Sequence, residues 1–280
     1  SSSSRGLGDV YKRQTLRTNS KEFYNLSNIQ LTSMLEELIS NINEVAYYWA
    51  TICSDNKGTT KTPAEGEEWM AGPFASVLAT QYYIDTLLNN DDLLVKNYNE
   101  KENSYKVFPN NLIERFIFPF VDAKVYFNKS MNFNDINEYR GFTNRYGGKP
   151  SITLVLGAGN YSSIPFLDTI YQLITKRSVV LLKLNPVNEY LKPVFEKVFQ
   201  NFISRGFLII TTGNTDESKY MVNHPGVGHI HLTGSDETYE DIVYGRKLSN
   251  SEKKLKSLPK VNNKPITSEP VSYTHLRAHE

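Results

Sequence analysis

The chain is short of several things, and each shortage removes a class of protein. It has a single cysteine, Cys53, so no intramolecular disulfide framework can hold it; this fits a reducing compartment, and a cytoplasmic location is expected. No run approaches the roughly 18 apolar residues of a spanning helix. The first fourteen residues have no apolar central stretch of the kind a secretory leader needs. Charge of one sign is not in excess: the formal net charge is +1, which gives no electrostatic footing for nucleic acid or for an anionic membrane surface. Disorder is also excluded as a general description, because 18 Tyr and 14 Phe supply the large apolar groups that a disordered chain lacks.

Both ends lack periodicity. Residues 1–14 and 270–280 resemble translated sequencing-adapter read-through and are set aside from fold reasoning. On that reading the chain is a piece of a longer protein. The remainder divides near Lys149-Pro150 into an amino-terminal helical segment (15–150) and a nucleotide-binding region (151–269). In the first, Leu31, Met34, Leu35, Leu38, Ile39, Ile42, Val45, Ala46 and Trp49 recur at three- and four-residue steps, which predicts one amphipathic helix over 30–50. Cys53 is expected just beyond it as a small buried hydrophobe, before a polar turn at Asp55–Gly58. A second helix is expected after Gly72-Pro73, with Phe74, Val77, Leu78, Tyr82 and Leu88 on one side. Residues 89–111 read as an Asn-rich loop, 112–126 as apolar but irregular, and 133–145 as an excursion or hairpin with a possible oligomerisation role.

From Ile152 onward, short apolar runs alternate with amphipathic stretches. Strands are expected at 152–156, 178–183, 206–210 and 228–232, and helices at 162–174, 189–204, 216–222 and 236–244. Buried strands joined through helices by short connections predict an α/β fold: a parallel Rossmann-like sheet with helices on both faces. Such sheets bind ligands at the carboxyl ends of their strands. The first strand ends in Gly157-Ala-Gly159-Asn160, where glycine permits a tight turn and close approach to a ligand, although the third glycine of the dinucleotide fingerprint is absent. The second ends in Lys183, an ammonium able to reach ribose or phosphate, or simply to extend into solvent. The fourth ends in Thr233-Gly234-Ser235 and opens a helix, an arrangement suited to an anion or to plain helix capping. Asp236 and Glu237 beside it would repel a pyrophosphate unless turned outward. His229 and His231 share one face of a strand, but no Cys or carboxylate near them in the sequence completes a ligand set, and no metal is expected. The lysines at 253, 254 and 256 read as a solvated face.

Five of these motifs, taken together, resemble the aldehyde dehydrogenase superfamily: Val155-Leu-Gly-Ala-Gly-Asn-Tyr-Ser-Ser-Ile-Pro-Phe166, Val180-Leu-Leu-Lys-Leu-Asn-Pro186, Asn223-His-Pro-Gly-Val227, His231-Leu-Thr-Gly-Ser-Asp236 and Pro265-Ile-Thr-Ser-Glu269. They keep the order and spacing of that family. The resemblance implies an amino-terminal part of an enzyme that oxidises an aldehyde to a carboxylic acid with NAD or NADP, acting as a homodimer or homotetramer, with its catalytic domain lying beyond this chain. Asn160 then corresponds to the amide that stabilises the oxyanion, and Glu269 to the general base. Gly157 and Gly159 form the cofactor turn, Lys183 holds the ribose, and Thr233, Gly234 and Ser235 lie beside the pyrophosphate. Three departures matter. The family's nucleophilic cysteine has no counterpart here. Pro186 stands where many members carry the glutamate that favours an unphosphorylated ribose, which leaves NAD and NADP both open. Pro270 succeeds Glu269 where Leu-Gly is the pattern. Two other readings stay open: an acyl-CoA or acyl-phosphate reductase of the same superfamily, and a non-catalytic nucleotide-binding module.

Overall fold

A computed structural model describes residues 15–109, 111–138, 148–255 and 257–270. Both terminal stretches set aside from the sequence lie outside these, except Pro270, as does most of the 133–145 segment.

The amino-terminal half is built on one long helix. After a short helix α1 over 15–24, helix α2 spans Asn28–Lys57. Its start is written in the sequence as Ser27-x-x-Gln30: the Ser27 hydroxyl accepts from the Gln30 N–H, and the Gln30 side chain accepts from the Ser27 N–H, so two helix-end donors are satisfied reciprocally. Its end is set by Gly58, which takes the left-handed conformation at φ 69°. The helix therefore runs a full turn past Cys53, instead of stopping before it. The expected stripe is the buried one: Leu31, Met34, Leu35, Leu38, Ile42 and Trp49 are sealed from solvent, and Cys53 with them.

Helix α3 (Glu65–Trp69) passes through a π-helical turn at Met70–Phe74 into α4 (Ala75–Asn97). The second helix is thus longer at both ends than the sequence indicates. Its stripe is also rotated: Phe74 and Leu88 are exposed, while Ile84 and Leu87 are buried against α2. The expected loop at 89–111 is largely regular structure. After α4 come β1 (Tyr98–Asn99) and β2 (Ser104–Phe108), which pair antiparallel and are joined by β3 (Ala123–Tyr126). Between β2 and β3 lies α5 (Leu112–Ile117), and α6 (Phe133–Glu138) comes after β3. This three-stranded arm carries little apolar cover of its own: Leu112, Phe116 and Phe120 are 86, 87 and 97% exposed.

The second half is a five-stranded parallel sheet. Strands β4 (Ile152–Leu156), β5 (Val179–Lys183), β6 (Leu208–Thr211), β7 (His229–Gly234) and β8 (Ile266–Pro270) lie in the order β6-β5-β4-β7-β8. The intervening helices are α7 (Ile164–Ile170, prolonged by a π-helical turn to Thr175), α8 (Lys192–Val198), α9 (Gln200–Ser204), α10 (Thr215–Asn223) and α11 (Asp236–Tyr244). The expected single helix at 189–204 is broken: Pro186–Leu191 is a 3₁₀ turn, Pro193 opens α8, and Phe199 sits between α8 and α9. The fifth strand is absent from the sequence expectation, because Ile266-Thr-Ser-Glu-Pro270 is a polar edge strand and not an apolar run.

Strand order reverses at β4: the chain builds outward to β6, then returns to place β7 on β4's other side. Right-handed crossovers therefore put α7, α8 and α9 over one face and α10 and α11 over the other. The core lies mainly on the α7 side. There Trp49 of α2 meets Phe195 edge-on at 5.3 Å between ring centroids, and Phe166 meets Phe199 at 5.1 Å, in the range where aromatic pairs add to simple burial. Polar links fix α2 to this layer: Trp49 Nε1 donates to Ser162 Oγ at 3.0 Å, and Asn201 Nδ2 donates to the Met34 carbonyl at 2.8 Å. The buried Arg177 guanidinium donates to the Leu26 carbonyl (3.0 Å) and to Asn28 Oδ1 (2.7 Å). That clamps the α1–α2 junction to the end of the α7 segment.

Candidate functional site

The reversal of strand order at β4 leaves a crevice at the carboxyl ends of β4 and β7, the position where open parallel sheets take ligands. A cleft of about 1200 Å³ opens there, larger than the roughly 300–1,000 Å³ of drug-sized pockets. Seven of the eight site residues expected from the sequence line it: Gly157, Gly159, Asn160, Lys183, Thr233, Gly234 and Ser235. The eighth, Glu269, lies on β8 and is exposed.

Strand register decides which side chains enter the cleft. Leu156 pairs with both Lys183 and Leu232, so these three share one face, the α10–α11 face. Lys183 is buried, and burial pulls its ammonium below the usual lysine range, against the smaller opposing pull of Glu189 and Glu217. A buried amine without an anionic hydrogen-bond partner in contact is poised to donate to a ligand hydroxyl or phosphate oxygen. The turn after β4 is narrow. Gly157 N–H donates to the Lys183 carbonyl at 3.0 Å. A Cβ at Gly159 would fall 2.8 Å from Val187 Cγ2 and 3.1 Å from Asn185 Cγ, so any other residue here forces those two side chains to move. Asn160 comes next, and its buried Oδ1 has no hydrogen-bond partner. An unsatisfied buried amide oxygen costs about 1–3 kcal/mol, which a donor arriving in the cleft would relieve.

At the fourth strand the three expected residues behave differently. Gly234 brings the backbone to the rim. Ser235 is the N-cap of α11: its hydroxyl accepts from the Thr238 N–H at 3.2 Å. It therefore caps the helix as well as facing the cleft. The side chain of Thr233 is turned through the sheet to the opposite face, where Thr233 Oγ1 donates to Asp168 Oδ2 at 2.9 Å. Only its backbone is available to a ligand. Asp236 and Glu237 are exposed at the start of α11 and both line the cleft, where Glu237 is paired with Lys247. Several further cleft residues are not among the expected site residues, although Asn185 lies in the motif that ends at Pro186. Asn185 and Val187 come from the loop after β5, and Thr215, Ser218 and Lys219 from α10. Their setting is polar and unpatterned; only the sheet order brings them together.

Cys53 is fully buried, and desolvation pushes its thiol upward, with Ser162 and Tyr190 beside it pulling less strongly the other way. It is a neutral packed thiol, as expected.

The sequence offers His229 and His231 no carboxylate close along the chain. The fold supplies two: Asp168 from α7, with Oδ1 at 3.3 Å from His231 Nε2, and Glu269 from β8. Burial, helped by the neighbouring His231 and Lys176, holds His229 down at about 4, so its ring is neutral near pH 7.

No family model matches the chain, and no curated protein matches it in sequence. Solved structures do. It is similar to an aldehyde dehydrogenase from Bartonella henselae (TM-score 0.56, 11% identity, covering 95% of this chain and 44% of that one). It is similar to an NAD-dependent benzaldehyde dehydrogenase from Corynebacterium glutamicum (0.53, 10%, 92% and 44%). It also resembles a betaine aldehyde dehydrogenase double mutant from Staphylococcus aureus in complex with NAD+ (0.55, 13%, 92% and 41%). The chain spans less than half the length of these proteins. Its five-stranded parallel sheet, with the helices around it, has the aldehyde dehydrogenase fold.

Proposed function

We propose that the chain is the dinucleotide-binding part of an NAD(P)-dependent aldehyde dehydrogenase whose complete form oxidises an aldehyde to a carboxylic acid. The observation that carries this reading is the convergence of Gly159, Asn160 and Lys183 on one cleft at the switch point. The cleft also fits a dinucleotide by its own chemistry: a glycine gap that a Cβ would close, a buried amine, an unpaired amide oxygen and a helix N-terminus at the rim.

In this reading Lys183 hydrogen-bonds the ribose hydroxyls, Gly157 and Gly159 let the backbone approach the cofactor, and Gly234 with the start of α11 faces the pyrophosphate. The nicotinamide, when bound, accepts a hydride. The Asn160 amide N–H donates to the oxyanion that forms when a thiolate adds to the aldehyde. Glu269 takes the proton of the water that attacks the thioester. No residue of this chain serves as the nucleophile, since the sole cysteine is sealed in the α2 packing. The 280-residue chain is therefore expected to bind the cofactor yet show no aldehyde oxidation, and homo-oligomer formation is proposed for the complete enzyme. Titrating the chain with NADH and NADPH and monitoring the reduced-nicotinamide fluorescence tests the reading. Saturable binding that Lys183→Ala weakens supports it. Absence of binding to folded chain, or cysteine-dependent aldehyde turnover by it, overturns it.

A further inference from the structure

On the face of the sheet turned away from the cleft, polar groups gather along β7 and β8. His229, His231 and Thr233 alternate along β7. Register places Thr267 beside His231 and Glu269 beside Thr233, and Asp168 comes down from α7. Asp168 and His231 are 7% and 4% exposed. One ligating atom from each of Asp168, His231 and Glu269 lies within 4.8 Å of the other two. We propose that these three side chains form a binding site for a divalent metal ion of the zinc–manganese type, outside the nucleotide cleft.

Three observations carry this. The first is that each buried ligand is already held by a hydrogen bond that leaves the atom facing the centre free. His231 Nδ1 is 2.8 Å from Thr267 Oγ1, and Thr233 Oγ1 donates to Asp168 Oδ2. Metal-binding imidazoles and carboxylates are oriented through such outer contacts. The second is that His231 Nε2 is buried and makes no hydrogen bond, although Asp168 Oδ1 is 3.3 Å away. The angle is wrong for a hydrogen bond. The separation is close to what two ligands share around one ion: at metal–ligand distances of about 2.0–2.2 Å, neighbouring ligand atoms sit about 3 Å apart. The third is charge. Asp168 and His231 are buried side by side and Glu269 reaches them from the solvent side, so a divalent cation would meet two carboxylates and an imidazole at one point. One imidazole with two carboxylates is a mixed set that suits zinc or manganese better than calcium or magnesium. Glu269 lies on the solvent side, so the ion would keep an open position for water.

The inference shares Glu269 with the proposed function, where that carboxylate is the general base, but Asp168 and His231 lie on the face of the sheet away from the nucleotide cleft. The full chain, freed of metal by chelation, is titrated with Co²⁺ and monitored by visible absorption, with Zn²⁺ as competitor. The expected result is saturable one-to-one binding, displaced by Zn²⁺. Glu269→Gln, at an exposed position, should keep the parent's tryptophan fluorescence melt and weaken binding at least about 10-fold, His231→Gln should remove the absorption, and Thr267→Val should weaken binding about 10-fold. Absence of saturable Co²⁺ uptake overturns the proposal and leaves His231 as a packed neighbour of Asp168. So does uptake that Glu269→Gln leaves unchanged, which would mark scattered surface carboxylates; this variant decides the matter even if His231→Gln destabilises the chain. Nucleotide binding that fails while Co²⁺ binding holds would remove only the proposed function.

Discussion

The two faces of the parallel sheet use alternate residues of the same strands for different work. On the α10–α11 side, Leu156, Lys183 and Leu232 form the floor of an open cleft, and the Asn160 amide oxygen at its edge lacks a protein partner. On the α7 side, Thr233, Asp168, His231 and Thr267 are linked to one another under a helix. Unpartnered polar groups in a cleft point to a ligand that comes and goes. Polar groups tied to one another from three elements point to a fixed arrangement. Thr233 shows how sharp the division is: its sequence neighbours Gly234 and Ser235 face the cleft, yet its hydroxyl belongs to the other side.

Substitutions can test that division. The largest effect is expected at Gly159→Val, because any Cβ there collides with Val187 and Asn185. Nucleotide titration should show binding lost, with far-ultraviolet circular dichroism unchanged. Co²⁺ uptake on the other face should persist, and its loss would break the comparison. Lys183→Ala should weaken NADH binding by about 10-fold or more, the value of a hydrogen bond from a charged donor at about 1.5–3 kcal/mol. A smaller effect belongs to the α7 side. His229 is held neutral at about 4, below the 6.5 of a free imidazole, so the unfolded chain binds the extra proton first as pH falls. Stability should be fully present above about pH 6.5 and decline as pH drops toward 4. Urea midpoints should show a shallower decline in that window for His229→Asn than for the parent, and parallel curves would mean that His229 does not contribute. The smallest effect is expected at Ser235→Ala. Loss of the α11 cap should cost about 1 kcal/mol in a urea melt and leave nucleotide affinity within a few-fold. A large affinity loss would make Ser235 a ligand contact first and a cap second.

The sheet is legible in the sequence because buried parallel strands are continuous apolar runs. Ile152–Leu156 and Val179–Lys183 can be read almost to the residue, and Gly159, Asn160 and Lys183 stand out because they sit at the ends of those runs. Strand β8 does not, since an edge strand written Ile-Thr-Ser-Glu-Pro has no apolar run to find. The extent of α4 is hidden by the asparagines at 89, 90 and 97, which weaken helix propensity locally but are outweighed by the helix already running into them. The link between Asp168 and His231 has no local trace. It exists only because β7 is laid beside β4 with His231 on the sheet face that α7 covers, and a pairing across such a distance leaves no spacing along the chain to recognise. The stretch carrying Leu112, Phe116 and Phe120 has no periodicity because it has no buried face to keep: those side chains stay in solvent among the described residues.

Helix α2 is covered in two stages: α4 follows it closely along the chain, while α8 and α9 come much later. Its apolar stripe is completed by Phe195, Phe199 and Phe202, on helices well over a hundred residues further along the chain. At a synthesis rate of roughly 5–20 residues per second, the part of the stripe that α4 does not cover waits on the order of 10–30 s in the nascent chain. The Ser27–Gln30 cap and the Gly58 stop then have a kinetic use: they let α2 form and hold its shape from local sequence alone, while the layer it will dock on is still being made. A chain built this way calls for a chaperone during translation more than for repair afterward.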